Sequence, residues 1–545
     1  MNMAEQNAQD IATPPVEEQK SADGYSYYVL GVLVLVYVFN FIDRNILSAL
    51  AEEIKADLGI SDGRMGFLYG TAFAVFYAVF GVPLGRLADL WNRRKLISIG
   101  LAFWSLMTAL SGTARNFFAL GAYRIGVGVG ESSASPAAFS MLGDYFPPKM
   151  RATAVAIYSS GVYIGSGIGL FLGGFILDTW NDMYPDGNAP LDLKGWHVAF
   201  FVVGIPGIIM ALWVWTLREP KRGQMEGMAT EEHPEPFKEF GKELASVLPP
   251  FTILSLHRQD AGARYIVFNF LLAIGVSLAA FGLTVTIGPP EQWIALAIGV
   301  YAVGSWIQSL SLRDYPTFKM VYASPTIVFA MIGFACIAFV TYGIGFWMVP
   351  YLIRGHGIDA SEAGLYMGLA GAIGGWTGVT FGGIFSDLLK NRTLRARPLI
   401  GFMSMALTVP ITLLILGTDN VKIIYGGAFI YNAVSSMWIG SAVALATELV
   451  LPRMRATATA FYILMVTFVG LALGPFTMGR ISDLYISNGT EGGIALRNGM
   501  GLSLLIFGIA TVFLVLATRT VKEEEATTIE RARAAGEEGL PDAAV

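Results

Sequence analysis

The sequence predicts an all-α polytopic membrane protein of fourteen transmembrane helices, arranged as two six-helix bundles with a two-helix hairpin inserted between them. Three observations lead there. Of 545 residues, 54% are hydrophobic and 14% charged, with 63 glycines and a mean hydropathy of +0.56, a balance foreign to soluble globular chains of this size. Fourteen apolar segments approach or exceed the roughly 20 helical residues that span a hydrocarbon core of about 30 Å. A motif also recurs at a shift of 304 residues: Pro148-Lys-Met-Arg151-Ala-Thr-Ala returns as Pro452-Arg-Met-Arg455-Ala-Thr-Ala, and Asp144 before the first copy matches Glu448 before the second. Two bundles of parallel topology, with a site near the midplane between them, follow from such a repeat.

In chain order, residues 1–24 are polar and are expected to form a disordered cytoplasmic tail; they hold no apolar stretch of the kind that marks a cleavable signal. The N-terminal bundle, 25–218, contains segments 27–50, 64–90, 95–113, 117–146, 151–178 and 196–217. Residues 219–260 are charge-rich, with Pro220, Pro234, Pro236, Pro249 and Pro250, and read as a cytoplasmic linker. The inserted hairpin, 261–312, has segments 265–287 and 292–311 around Gly288-Pro289-Pro290-Glu291. The C-terminal bundle, 313–520, contains 325–352, 362–389, 398–417, 421–448, 455–480 and 498–518, and 521–545 is a charged cytoplasmic tail. Lys and Arg concentrate in every second loop, which places both termini in the cytoplasm, and a bacterial inner membrane is expected. The hairpin leaves that parity intact.

The net charge of -5, with bases confined to short loops, gives no nucleic-acid footprint. The single cysteine, Cys336, excludes an intramolecular disulfide. No cluster has metal-ligand spacing, so neither metal nor cofactor is expected; carboxylates in a low-dielectric layer make protons the expected coupling ion, and the chain is not expected to be an enzyme. Against this apolar background, Asp43 and Arg44 stand inside the first span, where one ionisable residue costs about 2.5–3.5 kcal/mol on insertion scales and marks a functional site. Arg124 and Glu131 lie seven residues apart on one face of the fourth helix, at a compatible depth. Two acids and two bases in one layer lower the burial cost of each. Asn40, Tyr163, Tyr342, Trp347 and Asn432 are candidates to line a cavity there.

Gly85-Arg-Leu-Ala-Asp89-Leu-Trp-Asn-Arg93-Arg94-Lys95, with its counterpart Gly383 to Asp387, resembles the loop signature of the major facilitator superfamily, and Arg124 to Glu131 resembles its fourth-helix signature. Asn40 to Arg44, Gly130-Glu131 to Pro136, Asp144 to Pro148 and Arg218-Glu219-Pro220 resemble the spinster-like branch in particular. Asn92 departs from the glycine usual in the loop signature, and the hairpin is extra to a twelve-helix plan. The resemblance implies a major facilitator fold, with Asp43 and Glu131 as proton-linked acids and Arg44 and Arg124 as their partners. Gly85, Asp89, Arg93, Arg94, Asp144, Arg151, Asp387, Glu448 and Arg455 form the expected cytoplasmic gate, Asp89 meeting the helix that starts near Arg455 and Asp387 the helix that starts near Arg151. The expected function is proton-coupled secondary active transport of an amphipathic or lipid-like small molecule or organic anion by a monomer in the lipid bilayer. An uncoupled facilitator and a non-transporting sensor or assembly subunit are the alternatives.

Overall fold

A computed structural model describes residues 22–225, 233–259 and 261–538. Most of residues 1–24, residues 226–232 and 260 of the linker, and the end of the C-terminal tail lie outside the described residues. Each of the fourteen expected segments is helical: α1 (Gly24–Ala49), α2 (Asp62–Leu90), α3 (Arg93–Ser111), α4 (117–145), α5 (Pro148–Met183), α6 (Gly195–Trp215), α7 (Ala263–Ile287), α8 (Pro290–Arg313), α9 (Pro325–His356), α10 (360–390), α11 (Ala396–Leu416), α12 (Val421–Glu448), α13 (Pro452–Ser487) and α14 (Gly492–Ala526). Among the described residues, eleven are long and apolar enough on their own to cross a membrane. The other three are α3, which opens on three basic residues, α4, broken at Ser132-Ser133, and α10, loosened by a π-helical turn at Ala370–Gly374.

Helices α1–α6 form one half and α9–α14 the other. Glycine decides where they meet. A Cβ on Gly66 of α2 would lie 2.5 Å from the Pro475 carbonyl oxygen of α13; one on Gly167 of α5 would lie 2.9 Å from the Gly368 oxygen of α10, and the reverse pair 2.5 Å apart. These distances admit no side chain, so backbones pack directly along two seams, α2 with α13 and α5 with α10. The seams run toward the end of the molecule that carries the 50–62 loop, hereafter the closed end. Arg93, Arg151, Arg397 and Arg453 mark the opposite, basic end.

The hairpin lies over the α2–α13 seam. Val75, Ala78 and Val79 of α2, Ala302 of α8, and Leu464 and Phe468 of α13 share one apolar cluster. Gln292, buried on α8, accepts from Thr71 Oγ1 (2.7 Å), and Arg64 pairs with Glu291 (2.9 Å), while Arg480 Nε donates to the Ile287 carbonyl (2.7 Å). The expected linker is folded: the amphipathic helix Pro236–Val247 packs on α2, Phe237 against Trp91 and Val247 in the same apolar cluster, because its apolar face has a partner in the second helix. The C-terminal tail is likewise docked as far as it is described. Buried Glu524 takes the Ser324 hydroxyl and the Thr326 N–H at the start of α9, Glu525 pairs with Lys390, and Glu537 with Arg453.

Candidate functional site

Asp43 and Arg44 are consecutive on α1, so their side chains leave the helix about 100° apart and reach different neighbours. Asp43 is 1% exposed and turns toward α3. Thr108 Oγ1 donates to its Oδ2 at 3.1 Å, and the Trp104 indole N–H faces the carboxylate without closing a hydrogen bond. Arg124, fully buried, donates through Nη1 to the Asp43 carbonyl at 3.2 Å, leaving Nε and Nη2 without a hydrogen bond. Arg44 turns the other way. Its Nη2 meets Glu131 Oε2 at 2.7 Å, and its guanidinium lies over the rings of Phe41 (4.7 Å), Phe73 (4.3 Å) and Tyr77 (5.3 Å). Three electron-rich ring faces hold the cation where water is scarce. Glu131 ends the first part of α4, just before the Ser132-Ser133 break, and faces Asn40.

The structure therefore brings the four charges into one layer but pairs them unequally. Arg44 and Glu131 form an ion pair, whereas the Asp43 carboxylate has a hydroxyl partner and leaves Oδ1 unmatched. Beside Arg44, Tyr342 of α9 brings the second half to the same place. Tyr37, Tyr69, Tyr77, Tyr163 and Tyr462 are all within electrostatic range of Tyr342 or Arg44. Tyr163 and Tyr342 were legible as candidates; Tyr37, Tyr69, Tyr77 and Tyr462 were missed. Their signal was a hydroxyl on an aromatic ring deep in an apolar span, where a buried Tyr normally seeks a polar partner. Asn432 is half-buried on α12 and donates to the Ala428 carbonyl of its own helix (2.8 Å). Trp347 corrects its expectation: it is fully buried, with its indole N–H on the Pro475 carbonyl (2.8 Å), so it braces α9 against α13 rather than lining a cavity.

At the basic end the expected gate residues pair inside their own halves. Arg93, with no exposed surface, meets Asp144, Glu219 Oε1 (2.8 Å), the Ser140 hydroxyl (3.0 Å) and the Pro220 carbonyl (2.8 Å). Glu219 also accepts from the backbone N–H of Arg93 and of Arg94, capping α3. In the other half Arg397 holds Glu448 (2.6 Å) and Asp387 (2.7 Å). Arg93 and Arg397 are related by the same 304-residue shift as Asp144 and Glu448, an equivalence obscured in the sequence because the loop after Asp387 is longer than the one after Asp89. Asp89 is exposed, with Arg86, Arg222 and Arg93 as its nearest bases. Gly85 faces Pro136 at ordinary contact distance, Arg151 Nε donates to the Phe146 carbonyl (3.1 Å), and Arg455 is exposed at the start of its helical segment. The latch across the halves expected for Asp89 and Asp387 is open here: Asp387 pairs with Arg397 of its own half and Asp89 makes no ion pair among the described residues, because the halves close at the opposite end. Asn92 likewise needs no glycine: its φ is -63°, and its side chain caps α3 at Lys95 N (3.0 Å).

The closed end carries the contacts that cross. Arg354 of α9 reaches Glu52 (2.6 and 3.0 Å) and Asp62 (2.7 and 2.8 Å); Asp483 of α13 accepts from the backbone N–H of Asp62 and Gly63 (2.9 Å each); Ser482 donates to Asp62 (2.7 Å). Lys55 also pairs with Asp62. Nearby, burial pushes the Glu53 carboxyl up to about 7, against the opposing pull of the Trp196 backbone N–H and Lys194. None of this network was anticipated, since its acids and bases stand at helix ends and on the short helix Ala51–Leu58 with no motif around them.

Two halves, a charged layer in the first that meets Tyr342 of the second, and direct contacts at one end are the anatomy of a rocking transporter. The sequence matches the Major Facilitator Superfamily over residues 33–475. The chain belongs to that superfamily. It is a spinster-like member, a transporter and not an enzyme. It is 26% identical to protein spinster homolog 1 of Homo sapiens over 84% of this chain and 74% of that one. It is 25% identical to an MFS-type efflux pump of Mycolicibacterium smegmatis, covering 84% and 85% of the two chains. Among solved structures it resembles a bacterial homolog of the human lysosomal transporter Spinster in an inward-facing, unoccupied conformation, with a TM-score of 0.69 and 26% identity over 92% of this chain and 99% of that one.

Proposed function

We propose that this spinster-like protein is a proton-coupled secondary active transporter of an amphipathic small molecule, lipid-like or an organic anion, that acts as a monomer by alternating access with both termini in the cytoplasm of a bacterium. The observation that carries the reading is the unequal layer: Arg44 holds Glu131 beside the tyrosines of both halves, while one residue away Asp43 is buried with half its carboxylate unmatched. An anionic group that engages Arg44 releases Glu131 from the guanidinium it is hydrogen-bonded to. Glu131 then takes up a proton, and the changed charge of the layer biases the two conformations. Tyrosine rings and hydroxyls opposite the charged wall suit a substrate with one polar and one apolar part. The basic end is the cytoplasmic one, so this conformation is inward-facing, as the similar bacterial structure is. In the outward-facing state Asp89 and Asp387 form the latch across the halves, and the closed-end network opens.

A ligand-stabilisation screen on purified protein identifies the substrate, which raises the melting temperature by mass action. In liposomes, Asp43→Asn and Glu131→Gln then transport without responding to an imposed pH gradient, while the wild type responds. A variant pair that keeps the full response sinks the proton role.

A further inference from the structure

The hairpin carries a groove that the transport cycle leaves unexplained. It has a volume of about 480 Å³ and lies between the first turns of α7, the last turns of α8 and the helix Tyr315–Tyr322. Phe268, Ile307 and Phe318 form its apolar wall, and Arg264, Tyr265 and Ser311 stand one turn nearer the basic end of the same helices. The surrounding face of α7 is built to meet lipid: Val267, Phe268, Phe270 and Leu271 are each more than half exposed. An apolar trough that begins at a helix end therefore opens sideways to acyl chains and endwise to the head-group layer.

Charge selects the occupant. Arg264 is exposed, sits over the Tyr265 ring (4.9 Å), and makes no ion pair among the described residues; the same holds for exposed Lys319, next to the lining Phe318. The acids close by are already taken, Glu243 by Arg313 (2.9 Å) and Asp314 by Arg453 (2.8 Å). Among the described residues, two cations thus remain without an ion pair beside an apolar trough. The geometry points to a binding site for one anionic phospholipid of the bilayer, its phosphate on Arg264 and one acyl chain against Phe268, Ile307 and Phe318. A neutral lipid leaves the arginine unmatched, and a soluble anion leaves the trough unfilled. The site is distinct from the charged layer between the halves and gives the hairpin a role of its own.

The test uses the full chain in phosphatidylcholine nanodiscs with and without phosphatidylglycerol, reading lipid retained on the protein by mass spectrometry. Wild-type protein retains phosphatidylglycerol over phosphatidylcholine. Arg264→Gln weakens that retention about fivefold, the effect of one surface cation near an anionic leaflet, and Arg264→Lys keeps most of it. Ile307→Trp, which fills the trough and leaves every charge in place, loses it as well. Arg519→Gln removes an exposed cation at the basic end of α14, away from the groove, and leaves retention unchanged. Equal retention by Arg264→Gln and wild type, or an equal loss in Arg519→Gln, overturns the site in favour of general surface charge.

Discussion

Arg354 offers the sharpest test of how the halves are held. Its guanidinium makes four hydrogen bonds to Glu52 and Asp62, which belong to the opposite half. In the state in which this end opens, those groups are hydrated, so the bonds stabilise one conformation and not the other. Hydrogen bonds to charged groups are worth about 1.5–3 kcal/mol each, but Glu52 is 24% exposed on its side chain and the four bonds share one guanidinium. Asp62, at 1%, keeps Lys55 and Ser482 after the change. A net loss of about 2–3 kcal/mol is reasonable for Arg354→Gln, a shift of about 30- to 150-fold toward the open form of this end. Spin labels on Asp186→Cys in the first half and Asn488→Cys in the second, in a Cys336→Ser background, report the distance across that end. The parent shows one short distance, and Arg354→Gln adds a longer component. An unchanged distance distribution in Arg354→Gln would mean that the glycine seams alone set the closure, and the gate assignment would be wrong.

Three other outcomes are expected. Arg93→Gln removes a fully buried guanidinium and leaves Asp144 and Glu219 their backbone donors, so thermal unfolding in detergent should show a loss of about 3 kcal/mol; Arg397→Gln should lose less, since Asp387 is 73% exposed and Glu448 keeps Lys390. Glu53 titrates in the folded protein near 7 instead of at the ordinary 4.5, so the folded form binds the extra proton between those values and stability falls as pH rises through that window. Glu53→Gln should accordingly match the wild type near pH 5 and exceed it near pH 8, and a constant difference across that range would refute the assignment. Removing the acid layer, as set out for Asp43→Asn and Glu131→Gln, should abolish the response to a pH gradient without unfolding the protein.

The fold was legible because its signals are global. Hydropathy located fourteen helical segments, eleven of them long and apolar enough among the described residues to cross a membrane, and the 304-residue repeat pointed to two halves. The charged layer was legible because Asp43, Arg44, Arg124 and Glu131 are conspicuous in apolar spans. Which acid meets which base was not, because helix rotation about α1 decides it and a sequence fixes only spacing. Trp347 shows the same limit, since an aromatic that braces two helices and one that lines a cavity read alike along the chain. The docked linker helix and tail were hidden for another reason. Their stability comes from partners such as Trp91 and Ser324, far away in sequence, while their composition alone reads as solvated.

The hairpin also makes the two sides of the molecule unlike. Related by the internal repeat, the seams formed by α2 with α13 and by α5 with α10 should offer equivalent routes between the bilayer and the space around Arg44. Here α8 walls off the first by packing against Val75 and Phe468, and α7 adds a second layer outside it. The seam along α5 and α10 carries no such wall among the described residues, so the molecule acquires a handedness that its two-fold architecture alone would not impose.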